Sequence, residues 1–268
     1  MTERASNSKR SCIFCSATTD LSREHLLPDW LQGVFPNVDL VTHFRAIGRN
    51  DRHEWDARPF SERVRFVCMR CNNGWLSQLE AAVKPIMIPM LQHRPCVVDR
   101  RAQELLATWA FKTCLVFQTT QTGAPPIAPR LHYERLGRHP KPPSQVSVWL
   151  TSHYRARSDE VNSVYVQRPL GIRSSDARFA PEDDVAYMCF LAVSWVGFVV
   201  AGHAYATDSH IIYDGHLGDG LLRIWPEDRD FVQWPPDAMM DRDLVEVLAL
   251  PEEGLSLVLR PSEQRRLA

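Results

Sequence analysis

Cys12 and Cys15, and again Cys68 and Cys71, form two Cys-x-x-Cys pairs, and these constrain the fold of this chain more than any other feature in it. Two residues between cysteines let both sulfurs of a pair face one ion, so four thiolates complete a tetrahedral zinc site. Such a site is a scaffold, because four sulfurs leave no open coordination position for chemistry. The 52 residues between Cys15 and Cys68 exceed the usual ribbon spacing, so a hairpin or an insertion must loop out between the knuckles. The competing reading is two unrelated redox or chance pairs.

Cysteine usage agrees with metal rather than with disulfides. Seven cysteines is an odd number, and the polar start Met1–Lys9 has no apolar core of a secretory signal. A reducing, cytoplasmic compartment follows as the expectation. Cys96, Cys114 and Cys189 sit among apolar neighbours and read as small buried hydrophobes. The longest apolar stretch, Met188–Ala201, is interrupted by Ser194 and Gly197 and is too short to span a bilayer, so no membrane is expected.

A net charge of −1 excludes a wholly basic polyanion binder, yet the average hides an asymmetry. Residues 1–141 carry 20 Lys and Arg against 13 Asp and Glu, whereas residues 142–268 carry 11 against 19. A polyanion would dock on the front half, unless the asymmetry is a chance property of a two-part chain. Within that half, Arg45, Arg49, Arg52, Arg58, Arg63, Arg65 and Arg70 are interleaved with Phe44, Trp55 and Phe66. This reads either as phosphate clamping with aromatic stacking or as a solvated face whose alkyl stems cover apolar surface.

Periodicity supplies the elements. Arg63–Val67 alternates charged and apolar residues as a half-buried strand, with strands also expected over Val38–Ala46 and His53–Ala57. Pro28–Leu31 suits a short helix. A helix beginning at Gly74 is expected to break at Pro85, with a second over Ile86–Gln92. The strongest helix runs from Arg101 to about Gln118 behind the N-cap Asp99. Thr119–Ala128 reads as a linker. Strand-like runs follow at Val146–Thr151, Ser163–Gln167, Tyr187–Trp195, Gly197–Ala204, His210–Tyr213 and Leu221–Trp225, with a turn or bulge at Val196-Gly197 and a last helix over Asp241–Leu248.

Between the knuckles lies Glu24-His25-Leu26-Leu27-Pro28, and directly after Cys71 come Asn72 and Asn73. A neutral imidazole can take a proton from water, and a carboxylate with an amide oxygen can hold a hard divalent cation. Activated water plus positive charge on a developing oxyanion is what hydrolysis of a phosphodiester requires.

Cys12-x-x-Cys15, Glu24-His25-Leu26-Leu27-Pro28 and Cys68-x-x-Cys71-Asn72-Asn73 together resemble the zinc-containing branch of the HNH (His-Asn-His) endonuclease family, over about residues 10–83. The resemblance implies a treble-clef, ββα-metal domain. It also implies His25 as general base, with Glu24 and Asn72 as ligands of a catalytic Mg²⁺ or Mn²⁺. The family's middle asparagine falls at Arg63 here, beside Glu62 and Ser61. Either Asn73 or His53 replaces it, or the site has lost catalysis.

The expected architecture is therefore α+β: a disordered lead (1–10), an N-terminal treble-clef zinc domain (11–84), a helical bridge (85–120) and a mainly antiparallel β-rich C-terminal region (121–268). The expected function is metal-dependent endonucleolytic cleavage of DNA, or of RNA, with Arg63, Arg65 and Arg70 on the phosphates. The C-terminal region would bind a protein partner or self-associate. The alternatives are a catalytically inactive zinc-finger module that holds nucleic acid, and a zinc protein acting through protein contacts alone.

Overall fold

A computed structural model describes residues 10–47, 51–120, 126–153, 163–170, 186–204, 209–213, 220–237, 239–240 and 257–261. The expected helix at Asp241–Leu248 lies outside the described residues, as does the turn at Gly48–Asn50. The fold is mixed α+β with almost wholly antiparallel pairing.

The first knuckle leads into β1 (Leu21–His25), which pairs antiparallel with β4 (Arg63–Cys68), and β4 runs directly into the second knuckle. The residues looped out between them form a one-turn helix α1 (Leu31–Val34) and the hairpin β2 (Val41–Ile47) with β3 (Asp51–Ala57). The sequence spacing required such an excursion. After Cys68 the chain turns into α2 (Met69–Cys71), passes a π-turn over Asn72–Leu76 kinked at Gly74, and continues as α3 (Ser77–Leu91).

Pro85 does not break this helix, contrary to the expectation: α3 carries both Pro85 and Pro89 in its interior. A proline forfeits one backbone hydrogen bond. Here Leu79, Val83, Met87 and Met90 form a buried stripe that holds the helix together by tertiary contact.

Beyond β5 (Cys96–Asp99) comes α4 (Arg100–Gln118), whose N-cap is Asp99 as expected; its carboxylate accepts from the Ala102 N–H at 2.8 Å. This helix is buried nearly all round, and it is the axis of the molecule. It touches α3 and β5 as well as the large sheet. That sheet has strand order β11-β6-β9-β8-β7, from β6 (Val146–His153), β7 (Ser163–Leu170), β8 (Ala186–Val193), β9 (Val196–His203) and β11 (Leu222–Trp225). A two-residue strand, β13 (Met239–Met240), adds parallel to β6.

Strands β8 and β9 are buried at every position because both faces of the sheet are covered. Val148, Leu150, Cys189, Leu191, Phe198 and Val200 join the core that includes α4. The alternate residues Met188, Phe190, Val199 and Ala201 are buried outside that cluster. The neighbouring strand β10 (Ser209–Tyr213) pairs with β14 (Leu257–Pro261), and the Ser147 hydroxyl donates to the Ile211 carbonyl at 2.6 Å.

The β8–β9 hairpin turns at Ser194-Trp195, with Ser194 at φ 51°, and not at Val196-Gly197. Gly197 is a strand residue opposite Ala192, where a Cβ would come within 2.8 Å of Thr151. Sequence patterning also missed α5 (Arg130–Arg138) and β12 (Phe231–Trp234), the latter paired with β5. One continuous core runs from Cys12 and Phe14, through α3 and α4, to Val232 and Trp234. Among the described residues no helix is long and apolar enough to cross a membrane.

Candidate functional site

The four knuckle cysteines converge. The Sγ atoms of Cys12, Cys15, Cys68 and Cys71 all lie within 4.8 Å of one another, with Cys15 and Cys68 at 3.5 Å. Tetrahedral Zn–S bonds of about 2.3 Å place sulfurs roughly 3.8 Å apart, so the donor set fits a metal such as zinc. Backbone bonds draw the first knuckle tight: Cys12 N–H donates to the Ala17 carbonyl at 2.7 Å and Ser16 N–H to the Cys12 carbonyl at 2.8 Å. Ile13 N–H reaches across to the Phe66 carbonyl on β4 at 2.9 Å, tying the two knuckles together. Burial pushes the Cys71 thiol up, and Cys12 beside it adds to this, so a bound cation is what would hold the cluster as thiolates.

Adjacent residues of β1 face opposite ways, as strand geometry demands. His25 lies on the outer face and pairs in register with Arg63 of β4. Arg63 Nε donates to His25 Nε2 at 2.9 Å, and Asp29 Oδ1 stands 3.7 Å from the same nitrogen. In a neutral ring Nε2 thus carries the lone pair and Nδ1 the proton. Burial lowers the pKa of His25, the Arg63 charge lowers it further, and Asp29 and Glu80 partly offset this.

Glu24 points inward and is only 4% exposed. Its Oε1 lies 3.6 Å from Nζ of Lys112, a fully buried residue of α4, and the same ammonium lies 3.2 Å from Glu80 Oε1 on α3. Burial raises the Glu24 carboxyl above its ordinary range, Lys112 opposes that, and Glu80 reinforces it. Lys112 and Glu80 were not among the residues singled out from sequence.

Asn72 occupies the π-turn, where its Nδ2 donates to Ser22 Oγ at 3.0 Å, and Ser22 Oγ donates to the Val67 carbonyl at 3.0 Å. The Asn72 amide therefore ties the second knuckle to β1. A divalent ion held by Glu24 and Asn72 does not fit this arrangement. It would stand against the Lys112 ammonium, which already answers the Glu24 charge in a buried setting where like charges repel strongly. The cysteine cluster is the one group of three or more Cys, His, Asp and Glu side chains among the described residues with converging donor atoms.

Of the three arginines expected on phosphate, Arg63 and Arg65 lie on the outer face of β4, where Arg23 of β1 and Ser61 join them around an open cleft of about 510 Å³. Arg70 is exposed on α2 and does not line the cleft among the described residues. The Arg45, Arg49 and Arg52 side chains lie outside the described residues, as does that of His53, a proposed stand-in for the missing asparagine. Trp75 packs edge-on against Phe14 at 5.1 Å, a core role for that ring. Comparison with family models, with curated proteins and with solved structures returned no match.

Proposed function

We propose that this chain acts on nucleic acid as an HNH-type phosphodiester hydrolase built on a zinc-stabilised treble clef, with DNA as the favoured substrate. The observation that carries the reading is the hydrogen bond from Arg63 Nε to His25 Nε2 on the outer face of the β1–β4 pair, beside a cleft lined by arginines. The order knuckle, strand, strand, knuckle, helix is the order a ββα nuclease has, and four convergent thiols support zinc as its anchor.

In this mechanism His25 is the general base. Arg63 holds the imidazole by its lone-pair edge, at the register position where the family carries its middle asparagine. When a phosphodiester arrives, the Arg63 guanidinium moves onto the phosphate and Nε2 becomes available to take a proton from the attacking water. As water adds to phosphorus, the bond to the leaving sugar oxygen breaks; the guanidinium supplies positive charge to the developing oxyanion, and the departing oxygen takes its proton from solvent. Arg65 and Arg70 contribute further phosphate contacts. The resemblance implies Mg²⁺ or Mn²⁺ on Glu24 and Asn72, but the Lys112 pairing opposes that ion.

A second reading is favoured by one specific feature. Glu24 is locked in a buried ion pair with Lys112, so the chain would be a zinc-finger module that holds nucleic acid without cutting it. A plasmid-nicking assay with zinc-loaded protein, run with Mg²⁺, with Mn²⁺ and with chelator, decides between the two. Cutting by the parent, with His25→Ala binding DNA but leaving it intact, supports the hydrolase. Binding without cutting in every arm removes the hydrolase and leaves the module. Absence of any salt-sensitive DNA affinity removes both, since phosphate contacts weaken steeply as salt rises.

A further inference from the structure

We propose that Arg23, Arg63 and Arg65 form a binding site for a single phosphate group, set in the cleft on the outer face of the β1–β4 pair; that the phosphate belongs to a nucleic-acid strand rests on the reading above. The site is a product of strand register. Arg63 and Arg65 alternate on the outward side of β4, whereas Val64 between them is buried. Between Ser22 and Glu24 the β1–β4 register shifts, so Arg23 stands opposite a bulge in β4 where Arg65 and Phe66 together face it. A bulge re-aims the side chains of the strand that carries it, and here Arg65 on that strand and Arg23 opposite line the same cleft as Arg63.

Like charges gathered on one wall repel unless an anion answers them. Some arginines elsewhere in this protein are answered: Arg100 by Asp230 at 2.9 Å, Arg130 by Glu134 at 2.8 Å and Arg223 by Asp228 at 2.7 Å. Among the described residues neither Arg23 nor Arg65 has a carboxylate partner, and no acidic side chain lines the cleft. Ser61 forms part of the wall, but its hydroxyl donates to the Arg58 carbonyl at 2.7 Å, so the free donors come from the arginines. A volume of about 510 Å³ exceeds what one phosphate needs and lies in the range of nucleotide-sized ligands.

Arg63 links this site to the base. Before a ligand arrives its Nε donates to His25, so its four terminal N–H groups are the ones that first meet an oxyanion and draw the guanidinium off the ring. A phosphate bound here would sit beside the imidazole. Planar guanidiniums match phosphate oxygens two at a time, a geometry a lysine would not reproduce.

The test uses the full zinc-loaded chain and measures fluorescence anisotropy of a labelled oligonucleotide, carried with and without a 5′-phosphate, with inorganic phosphate as competitor. Arg23→Gln and Arg65→Gln are exposed changes that leave the Arg63–His25 bond in place, and Arg101→Gln on α4 is the control. Each cleft variant is expected to weaken binding roughly tenfold, as loss of a charge-assisted contact does. The salt slope should fall by about one per arginine removed. Lysine at both positions should recover the salt slope more fully than the affinity. Tighter binding of the 5′-phosphorylated strand assigns the cleft to a terminal phosphate, and equal binding assigns it to the backbone.

A double variant that binds within twofold of the parent, with the same salt slope and the same phosphate competition, overturns the site. So does a parent that binds neither strand nor inorganic phosphate. The two proposals fail separately. Loss of binding in the double variant, in a protein that never cuts, keeps the phosphate site and removes the hydrolase. Cutting with unchanged affinity in the double variant does the reverse.

Discussion

Lys112 Nζ lies 3.6 Å from Glu24 Oε1, a fully buried ammonium on the central helix set against a buried carboxylate on the first strand of the knuckle region. Glu80 on α3 completes the group at 3.2 Å. Three elements are thus joined by one charge, and the residue following Glu24 is the candidate base. The position of the β1 backbone depends on α4, well outside the stretch that carries the knuckles.

Removing the ammonium leaves two carboxylates facing each other with no cation. Lys112→Met is expected to cost about 3–5 kcal/mol of folding stability, as breaking one side of a buried pair does. Adding Glu24→Gln should recover part of that loss, because a neutral amide tolerates burial better than an unpaired carboxylate. Urea unfolding of the parent, the single and the double variant measures this. A single-variant cost below about 1 kcal/mol would show that the pair does not hold these elements together.

Zinc content gives a separate expectation. The purified protein should carry one metal ion per chain, held by Cys12, Cys15, Cys68 and Cys71. Cys68→Ser should lose the ion and unfold the region around β1 and β4, while Cys96→Ser, outside the cluster, should keep it. Elemental analysis with far-UV circular dichroism reads both. Full retention of metal in Cys68→Ser would mean that the ligand set is wrong.

Gly137 on α5 presses against the first knuckle: a Cβ there would come within 2.8 Å of the Phe14 carbonyl carbon and 3.0 Å of its Cβ. Phe14 lies between the knuckle residues Cys12 and Cys15, and Arg130 at the start of α5 donates to Ser16 Oγ at 3.2 Å. Gly137→Ala must therefore push the helix and the knuckle apart. The expected cost is about 1–3 kcal/mol, the usual range for overpacking, together with faster loss of zinc to a chelator. Thermal unfolding and a chelator competition assay check the two effects. An unchanged chelation rate would mean that α5 does not brace the knuckle.

What the sequence made legible divides along physical lines. The cysteine spacing, the alternation of Arg63–Val67, the Asp99 cap and the apolar runs of β6, β8 and β9 are local signals, and each became the element it suggested. Lys112 was invisible because a helical stripe treats a lysine as solvent-facing, and only a helix buried on all sides turns it inward against two glutamates. The Arg63–His25 bond depends on the β1–β4 register, which a separation of 38 positions along the chain conceals. Pro85 misled for a related reason: its local cost is real, but the stripe of Leu79, Val83 and Met87 outweighs it. Helix α5 follows Pro129 and is mostly polar, so its only strong signal was the contact surface it makes with the rest of the fold.

His132 on α5 sets the last expectation, a dependence of stability on pH. Its ring is 1% exposed, and its Nδ1 shares a 2.8 Å hydrogen bond with the buried Tyr187 hydroxyl. Burial drives its pKa from 6.5 down to about 3, with His203 and Arg135 adding to the fall. Above pH 6.5 the ring is neutral in both the folded and the unfolded chain, and stability is undiminished. Between 6.5 and about 3 the unfolded chain takes up a proton that the folded chain refuses, so stability falls as pH falls, by up to about 1.4 kcal/mol per pH unit. His25 acts in the same direction, because burial and Arg63 lower its pKa as well. Glu24 acts oppositely, since its raised carboxyl binds a proton in the folded state first. Urea unfolding at pH 7.5, 6, 5 and 4 should therefore show a declining midpoint in the parent and a flatter decline in His132→Gln, where the amide still bonds Tyr187 but cannot titrate. Parallel declines in the two proteins would assign the acid sensitivity to other groups.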